Sequence, residues 1–137
     1  MSQQSNTLTL ANPDLLKQQC FIKDGWFDSS DATTLEVSNP FNGEIIGNVP
    51  SLTTDDVNDA VAASHEAQIT WAAKTAKERA ELLQKWADLI DANKEDLAII
   101  MTAEQGKPLT ESRGEVGYAN SFIRWFAEEG KRVYGDV

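Results

Sequence analysis

The hydrophobic pattern of this chain changes its period once, near Thr53, and the change divides the chain into two kinds of structure. Between Phe21 and Pro50, short runs of β-type residues alternate with turn residues. From Thr53 onward, apolar residues recur at spacings of three and four, which is typical of amphipathic helices. The sequence therefore predicts short antiparallel β-hairpins followed by helices.

Two tight turns are predicted in the β-hairpin region, residues 21–50. Asp24-Gly25 lies between the runs 21–23 and 26–27, and such a pair is a two-residue hairpin signal. The second turn ends in Gly43, where a positive φ is expected. The preceding residues 1–20 are predicted to be a loose polar tail followed by a short helical turn that Pro13 opens.

The beginnings of the helices in residues 51–137 are marked by capping residues. Thr53 or Thr54 is expected to cap the first helix, and Thr75 the second, within a capping box that Glu78 completes. Asn93 is expected to cap the third helix. Three of the four predicted helices thus have a sequence-encoded start.

The third and fourth helices meet at a Gly-Lys-Pro corner. Gly106 can take a positive φ just past a helix end, and Pro108 begins the next element. The fourth helix is predicted to extend from about Leu109 to Val133.

The apolar faces of three helices predict what they bury. The first helix presents Val57, Ala60, Val61, Ser64 and Ala67. The second presents a stripe of large side chains that is expected to be buried, namely Leu82, Leu83, Trp86, Leu89 and Ile90. The fourth has one face with Val116, Ala119, Ile123, Phe126 and Ala127, and another with Tyr118, Phe122 and Trp125. A helix with two apolar faces usually lies between two partners, so an exposed apolar patch is expected on this chain.

Composition excludes several classes of partner. The chain has 22 acidic and 12 basic residues, and its formal net charge of −10 opposes binding to nucleic acids and anionic membranes. No apolar run approaches the roughly 20 residues that span a bilayer. Cys20 is the only cysteine, which rules out an intramolecular disulfide and is compatible with a reducing cytoplasm.

Single candidate residues have weak support as catalytic or metal-binding groups. Cys20 has no histidine or cation cluster nearby in sequence, so packing as a small hydrophobe is favoured over a nucleophilic role. His65 is the only histidine, and a metal site needs convergent ligands that the sequence does not offer. Gly114 and Gly117 lie in a helical pattern, where small residues favour close packing over phosphate binding.

Adjacent carboxylates also favour structural roles. Asp55-Asp56 is expected at a helix start, where the helix dipole stabilises negative charge, and Glu128-Glu129 on a solvated edge. Neighbouring helix residues point in different directions, whereas general acid–base catalysis needs groups that converge on a substrate.

Five sequence segments, in order, resemble the aldehyde dehydrogenase superfamily. They are FIKDGW at 21–26, NPFNGEIIGNVP at 39–50, AKERA at 76–80, EQGKPL at 104–109 and FIRWFAEEGKR at 122–132. The last segment is similar to the succinate-semialdehyde dehydrogenase branch of the superfamily.

The resemblance implies an α/β parent fold, of which residues 51–137 would form the helical part of an incomplete cofactor domain. It implies oxidation of succinate semialdehyde or a related aldehyde with NAD or NADP, through a cysteine thiohemiacetal and thioester, in a cytoplasmic homo-oligomer. The catalytic cysteine, the glutamate base and the dinucleotide-binding strands would lie outside these residues. No catalytic, cofactor-binding or metal-binding residue is therefore assigned, and the chain alone is expected to be inactive. The residues alone favour core packing for Tyr118 and Phe122, whereas the resemblance implies that Tyr118 helps to shape the substrate tunnel.

A second function is compatible with the same sequence. The aromatic last helix could dock a protein partner, which would make the chain a stand-alone, non-catalytic helical interaction module. A reading frame that continues past Val137 into a cysteine-bearing segment would favour the enzyme, and a natural stop codon would favour the module.

Overall fold

The computed structural model describes residues 8–135, so residues 1–7 of the predicted polar tail lie outside the described residues, as do residues 136 and 137. The described chain contains two hairpins followed by four helices, which confirms the predicted order. The elements are β1 (Cys20–Ile22), β2 (Gly25–Phe27), β3 (Thr34–Ser38), β4 (Ile45–Pro50), α1 (Thr54–Ala73), α2 (Ala76–Ala92), α3 (Lys94–Gln105) and α4 (Leu109–Glu129).

The first hairpin turns one residue earlier than predicted. Ile22 pairs with Gly25, which leaves Lys23 and Asp24 as the two turn residues, and Lys23 takes the positive φ of 55°. Gly25 belongs to β2, where a Cβ atom would lie 3.0 Å from the ring of Phe27. The glycine therefore makes room for a neighbouring aromatic ring instead of bending the chain.

The second hairpin agrees with the prediction. Gly43 has a φ of 73°, and its nitrogen donates a hydrogen bond of 2.7 Å to the carbonyl of Asn39. A Cβ atom on Gly106 would lie 2.8 Å from Cγ of Pro40, so this turn sits directly against the corner between α3 and α4.

Residues 8–19, the described part of the segment before β1, are more ordered than a loose tail. The buried carboxylate of Asp96, in the first turn of α3, accepts hydrogen bonds from the backbone nitrogens of Ala11 (3.0 Å) and Asn12 (2.7 Å). The helical turn that follows covers only Pro13–Leu15, whereas the sequence predicts one over residues 14–19. Asp96 lies more than 80 residues from Ala11 and Asn12, so no local sequence pattern predicts this contact.

Helix α1 begins in the predicted way, and its cap also holds the preceding loop. Thr53 is the N-cap, and the carboxylate of Asp56 accepts hydrogen bonds from the nitrogens of Thr53 (2.9 Å) and Ser30 (3.2 Å). The bonds from Thr53, followed by those from Ser30, lower the pKa of Asp56 to about 2. One carboxylate thus fixes both the helix start and the loop before β3.

The caps of the next two helices differ from each other. Thr75 and Glu78 form the predicted capping box at the start of α2, and this box lowers the pKa of Glu78. Asn93 is the N-cap residue of α3, as predicted, but its side chain donates backward to the carbonyl of Leu89. The side-chain capping hydrogen bond expected from this asparagine is therefore absent.

The structure shows how the corner between α3 and α4 forms and where α4 ends. Gly106 ends α3 with a φ of 77°, as predicted. Helix α4 ends at Glu129, not at Val133, because the chain turns at Gly130. Within residues 8–135, no helix is long and apolar enough to cross a membrane.

Small side chains occupy the helix contacts. The buried apolar residues are Ala63, Ala80, Ala87, Ala98, Ala103, Val116 and Ala127. The predicted burial of the α2 stripe is wrong for Leu82, Trp86 and Leu89, which are exposed, while Leu83 and Ile90 are half-buried. No residue of the predicted α1 face is buried: Ala60 is half-buried, Val57 and Val61 are exposed, and the buried residue of α1 is Ala63.

Candidate functional site: the aromatic face of the last helix

Helix α4 has an exposed aromatic face, formed by Tyr118, Phe122, Trp125 and Phe126. Tyr118 is 64% exposed and Phe122 46% exposed, so the prediction that both pack in the core of this chain is wrong. At about 100° per residue, the four side chains occupy roughly a third of the helix circumference. They lie opposite the buried side of the helix, which presents Ser112, Val116, Asn120 and Ala127.

The predicted arrangement of α4 is partly confirmed. Large apolar groups do occupy two sides of the helix, and Tyr118, Phe122 and Trp125 share one of them. Phe126 was predicted on the Val116 side but is 60% exposed and belongs to the aromatic face. An exposed apolar patch is therefore present, as expected.

Tyr118 and Phe122 form an edge-to-face pair. Their ring centroids are 4.8 Å apart and their planes make an angle of 80°. This geometry brings the positive edge of one ring to the negative face of the other. The pair presents a continuous, mostly apolar surface that can contact a ligand by shape.

Two polar contacts on the buried side of α4 set the position of the aromatic face. The side-chain amide of Asn120 donates a hydrogen bond of 3.0 Å to the carbonyl of Ala87 in α2. The hydroxyl groups of Ser112 and Thr102 are 2.9 Å apart and join α4 to α3. Both Ser112 and Asn120 are buried, so these bonds are shielded from water.

Exposed ion pairs beside these buried contacts also hold α4 against α2 and α3. The Arg124 guanidinium lies 2.8 Å from a carboxylate oxygen of Asp88 and 2.7 Å from one of Asp91. Hydrogen bonds from Arg124, and then from Asn120, hold the pKa of Asp91 below its ordinary value. Arg113 donates two hydrogen bonds to the carboxylate of Glu95 in α3 and lowers the pKa of that group.

Sequence reasoning missed all of these positioning residues. Only Asn120 could have been recognised from the sequence. It follows Val116 by four residues, so its polar amide lies on the apolar face of the helix. The ion pairs of Arg113 and Arg124 join different helices, and their partners have no fixed spacing in sequence.

The remaining sequence candidates are not brought together with the aromatic face. Cys20 is half-buried in β1, and His65 is exposed on α1. Gly114 and Gly117 lie inside α4, where the backbone N–H groups belong to the helix, so they form no phosphate cradle. Across residues 8–135, no group of three or more His, Cys, Asp or Glu side chains is placed to hold a metal ion.

The paired carboxylates have the structural roles that the sequence favoured. Asp56 belongs to the α1 cap. Glu128 and Glu129 pair with Lys131 (2.6 Å) and Arg132 (3.4 Å) at the end of α4. These carboxylates are thus engaged in helix capping and in ion pairs.

Comparison with known proteins identifies the class to which this fold and surface belong. The family model described as the aldehyde dehydrogenase family matches residues 26–137. The chain belongs to the aldehyde dehydrogenase family, which confirms the resemblance seen in the sequence.

Individual relatives add detail. The chain is 47% identical to a glutarate-semialdehyde dehydrogenase of Pseudomonas putida and 46% identical to an NADP+ succinate-semialdehyde dehydrogenase of Escherichia coli. Both matches extend over 130 residues and cover 95% of this chain. The fold is similar to the crystal structure of an aldehyde dehydrogenase from Brucella melitensis biovar abortus, with a TM-score of 0.93 and 60% identity over 94% of this chain. In all three cases the chain spans 27% of the length of the relative.

Proposed function

We propose that this chain forms the amino-terminal part of an NAD(P)+-dependent enzyme that oxidises succinate semialdehyde, or a related aldehyde, to the carboxylate. The observation that supports this most strongly is its identity of 46% and 47% to succinate- and glutarate-semialdehyde dehydrogenases over almost its whole length. The complete enzyme would be a cytoplasmic homo-oligomer.

The contribution of this chain to that enzyme is structural. In the part of the chain that the structure describes, neither Cys20 nor Gly114 and Gly117 offer the surroundings of a nucleophile or a dinucleotide cradle. We therefore assign no chemical step to these residues and expect the chain alone to be inactive.

Within the proposal, Tyr118 forms part of the wall of the substrate tunnel. Its exposure, its edge-to-face contact with Phe122 and the absence of a charged group in that pair suit an apolar passage for a small aldehyde. Tyr118 would act by shape and contact area, while Asn120 and Arg124 fix the helix that carries it.

A chimera tests the proposal. The segment of the Escherichia coli relative that matches this chain is replaced by this chain, and the oxidation of succinate semialdehyde is followed by cofactor reduction, with NADP+ and NAD+ in parallel. The proposal predicts a kcat/KM within about tenfold of the parent enzyme, which corresponds to at most ~1.4 kcal/mol of transition-state stabilisation. The unaltered relative, purified in the same way, is the control.

A folded chimera of the parent's size and secondary structure that lacks activity would count against the proposal. The alternative, a stand-alone helical interaction module, rests on the same exposed aromatic face. An inactive chimera, combined with saturable binding of this chain to an unrelated protein through that face, would favour the module.

A further inference from the structure

The turn between β3 and β4 contains the only Asn-Gly pair of the chain, Asn42-Gly43. An asparagine before glycine is chemically labile, since glycine has no side chain to hinder the approach of its nitrogen to the asparagine side-chain carbonyl. Both residues are exposed, so burial does not protect them. Any protection must come from the hydrogen bonds of the turn.

The nitrogen that would react is engaged in the turn. The N–H of Gly43 donates a hydrogen bond of 2.7 Å to the carbonyl of Asn39. The N–H of Asn39 in turn donates a hydrogen bond of 2.8 Å to the carbonyl of Glu44, which closes the turn from the other side. Attack by the Gly43 nitrogen requires loss of its proton, and the bond to Asn39 holds that proton in place.

The group that would be attacked is engaged as well. The side-chain oxygen of Asn42 accepts a hydrogen bond of 3.0 Å from the nitrogen of Glu44, and its side-chain nitrogen donates one of 2.8 Å to the Glu44 carboxylate. Both ends of the amide are therefore directed at Glu44.

The turn itself is supported by the helical part of the chain. Pro40 lies against Gly106, where an added Cβ atom would come within 2.8 Å of the proline ring. The side chain of Asn39 adds an internal bond of 2.9 Å from the nitrogen of Phe41. Opening the turn thus requires the loss of several contacts together.

We propose that Asn42 is a latent site of spontaneous deamidation, gated by the hydrogen bond from the Gly43 nitrogen to the Asn39 carbonyl. When the turn opens, the Gly43 nitrogen loses its proton and forms a bond to the side-chain carbonyl carbon of Asn42. The bond from that carbon to the side-chain nitrogen breaks, and ammonia leaves with the proton. Water then opens the five-membered imide at either carbonyl, which gives aspartate or isoaspartate.

The product would weaken the turn that had protected the site. A new carboxylate stands where an amide had donated to Glu44, so an attraction becomes a repulsion between like charges. An isoaspartate also adds one atom to the main chain of a turn that fits closely against Gly106.

The rate of deamidation in the folded chain, compared with the same chain unfolded in urea at the same pH and temperature, tests the proposal. Mass spectrometry of the peptide that contains Asn42 measures the exchange of the amide for a carboxylate, and enzymatic methylation measures isoaspartate. We expect the folded chain to react at least roughly tenfold more slowly, since one or two hydrogen bonds must open first.

Two variants help to distinguish the effect of the turn on the deamidation rate from the effect of global unfolding. Asn39→Ala removes the internal bond to Phe41 and should bring the folded rate closer to the unfolded one, while circular dichroism remains unchanged. Asn42→Asp supplies the mass and mobility standard for the product. Equal rates in the folded and unfolded chains would overturn the proposal.

Discussion

The side-chain amide of Asn120 donates a hydrogen bond of 3.0 Å to the backbone carbonyl of Ala87, and both residues are buried where α4 crosses α2. The bond is directional in a contact that otherwise consists largely of small apolar side chains. It therefore fixes the rotation of α4 about its axis, and with it the direction in which the aromatic face points.

Two substitutions of Asn120 should distinguish the destabilisation caused by losing a hydrogen bond from that caused by burying a charge. Its side-chain oxygen is buried and has no hydrogen-bond partner among the described residues, so Asn120→Leu should cost only about 1–2 kcal/mol of the free energy of unfolding. Asn120→Asp places a carboxylate beside the carbonyl of Ala87 and should cost roughly 3 kcal/mol or more. Urea denaturation of both variants measures the difference, and an Asp variant no less stable than the Leu variant would refute this role.

Two glycines should respond to alanine in opposite directions. Gly106 has a φ of 77° and no room beside Pro40, so Gly106→Ala should destabilise the chain by roughly 1–3 kcal/mol. Gly114 lies within α4 and nothing stands within 4 Å of its added Cβ, so Gly114→Ala should stabilise by up to about 1 kcal/mol. Thermal unfolding of the pair checks both signs, and a Gly106→Ala variant as stable as the unchanged chain would contradict the close fit at the corner.

The carboxylate of Asp56 should make stability depend on pH in acid. Its pKa in the folded chain is about 2, against an ordinary value of 3.8, so its contribution is complete above about pH 4 and is lost as the pH falls toward 2. Asp56→Asn should therefore lower the free energy of unfolding at neutral pH, with a difference that shrinks near pH 2. Asp55→Asn, in the same helical turn, controls for the helix dipole. A difference that does not change with pH would be inconsistent with this assignment.

The ion pairs of α4 can be tested one at a time by titration. Arg124→Ala should raise the pKa of Asp91 toward its ordinary value of 3.8, because the principal hydrogen-bond donor is lost. Arg113→Ala should leave Asp91 unchanged and raise the pKa of Glu95 instead. NMR titration of the side-chain carboxyl groups distinguishes the two, and a shift of Asp91 in the Arg113 variant would show that the pairs are coupled.

The elements that could be predicted from the sequence are those encoded by a few adjacent residues. Thr75 and Glu78 specify the start of α2 within four positions, and Gly106 marks the end of α3 by its conformational freedom. The first turn was misplaced because Asp24-Gly25 and Lys23-Asp24 both supply acceptable turn residues, and only the strand register distinguishes them.

The burial of helix faces could not be predicted in the same way. Helix α2 has Leu82 and Trp86 on one side and Ala80 and Ala87 on the other, and hydrophobicity alone favours burial of the larger residues. The structure packs the alanine side against α4, since small side chains allow close approach. Contacts such as Asp96 with Ala11 join distant parts of the chain and leave no periodic signal.

The central claim is tested most directly by the KM for succinate semialdehyde of a chimera in which this chain replaces the matching segment of the Escherichia coli relative. If Tyr118 lines the tunnel as proposed, Tyr118→Ala in that chimera should raise KM by roughly three- to tenfold and change kcat less, because an apolar contact with the substrate before and during reaction would be lost. His65→Ala, which alters an exposed side chain on α1, is the control and should leave both constants unchanged. An active chimera in which Tyr118→Ala behaves like His65→Ala would contradict the proposed place of Tyr118 in the tunnel wall.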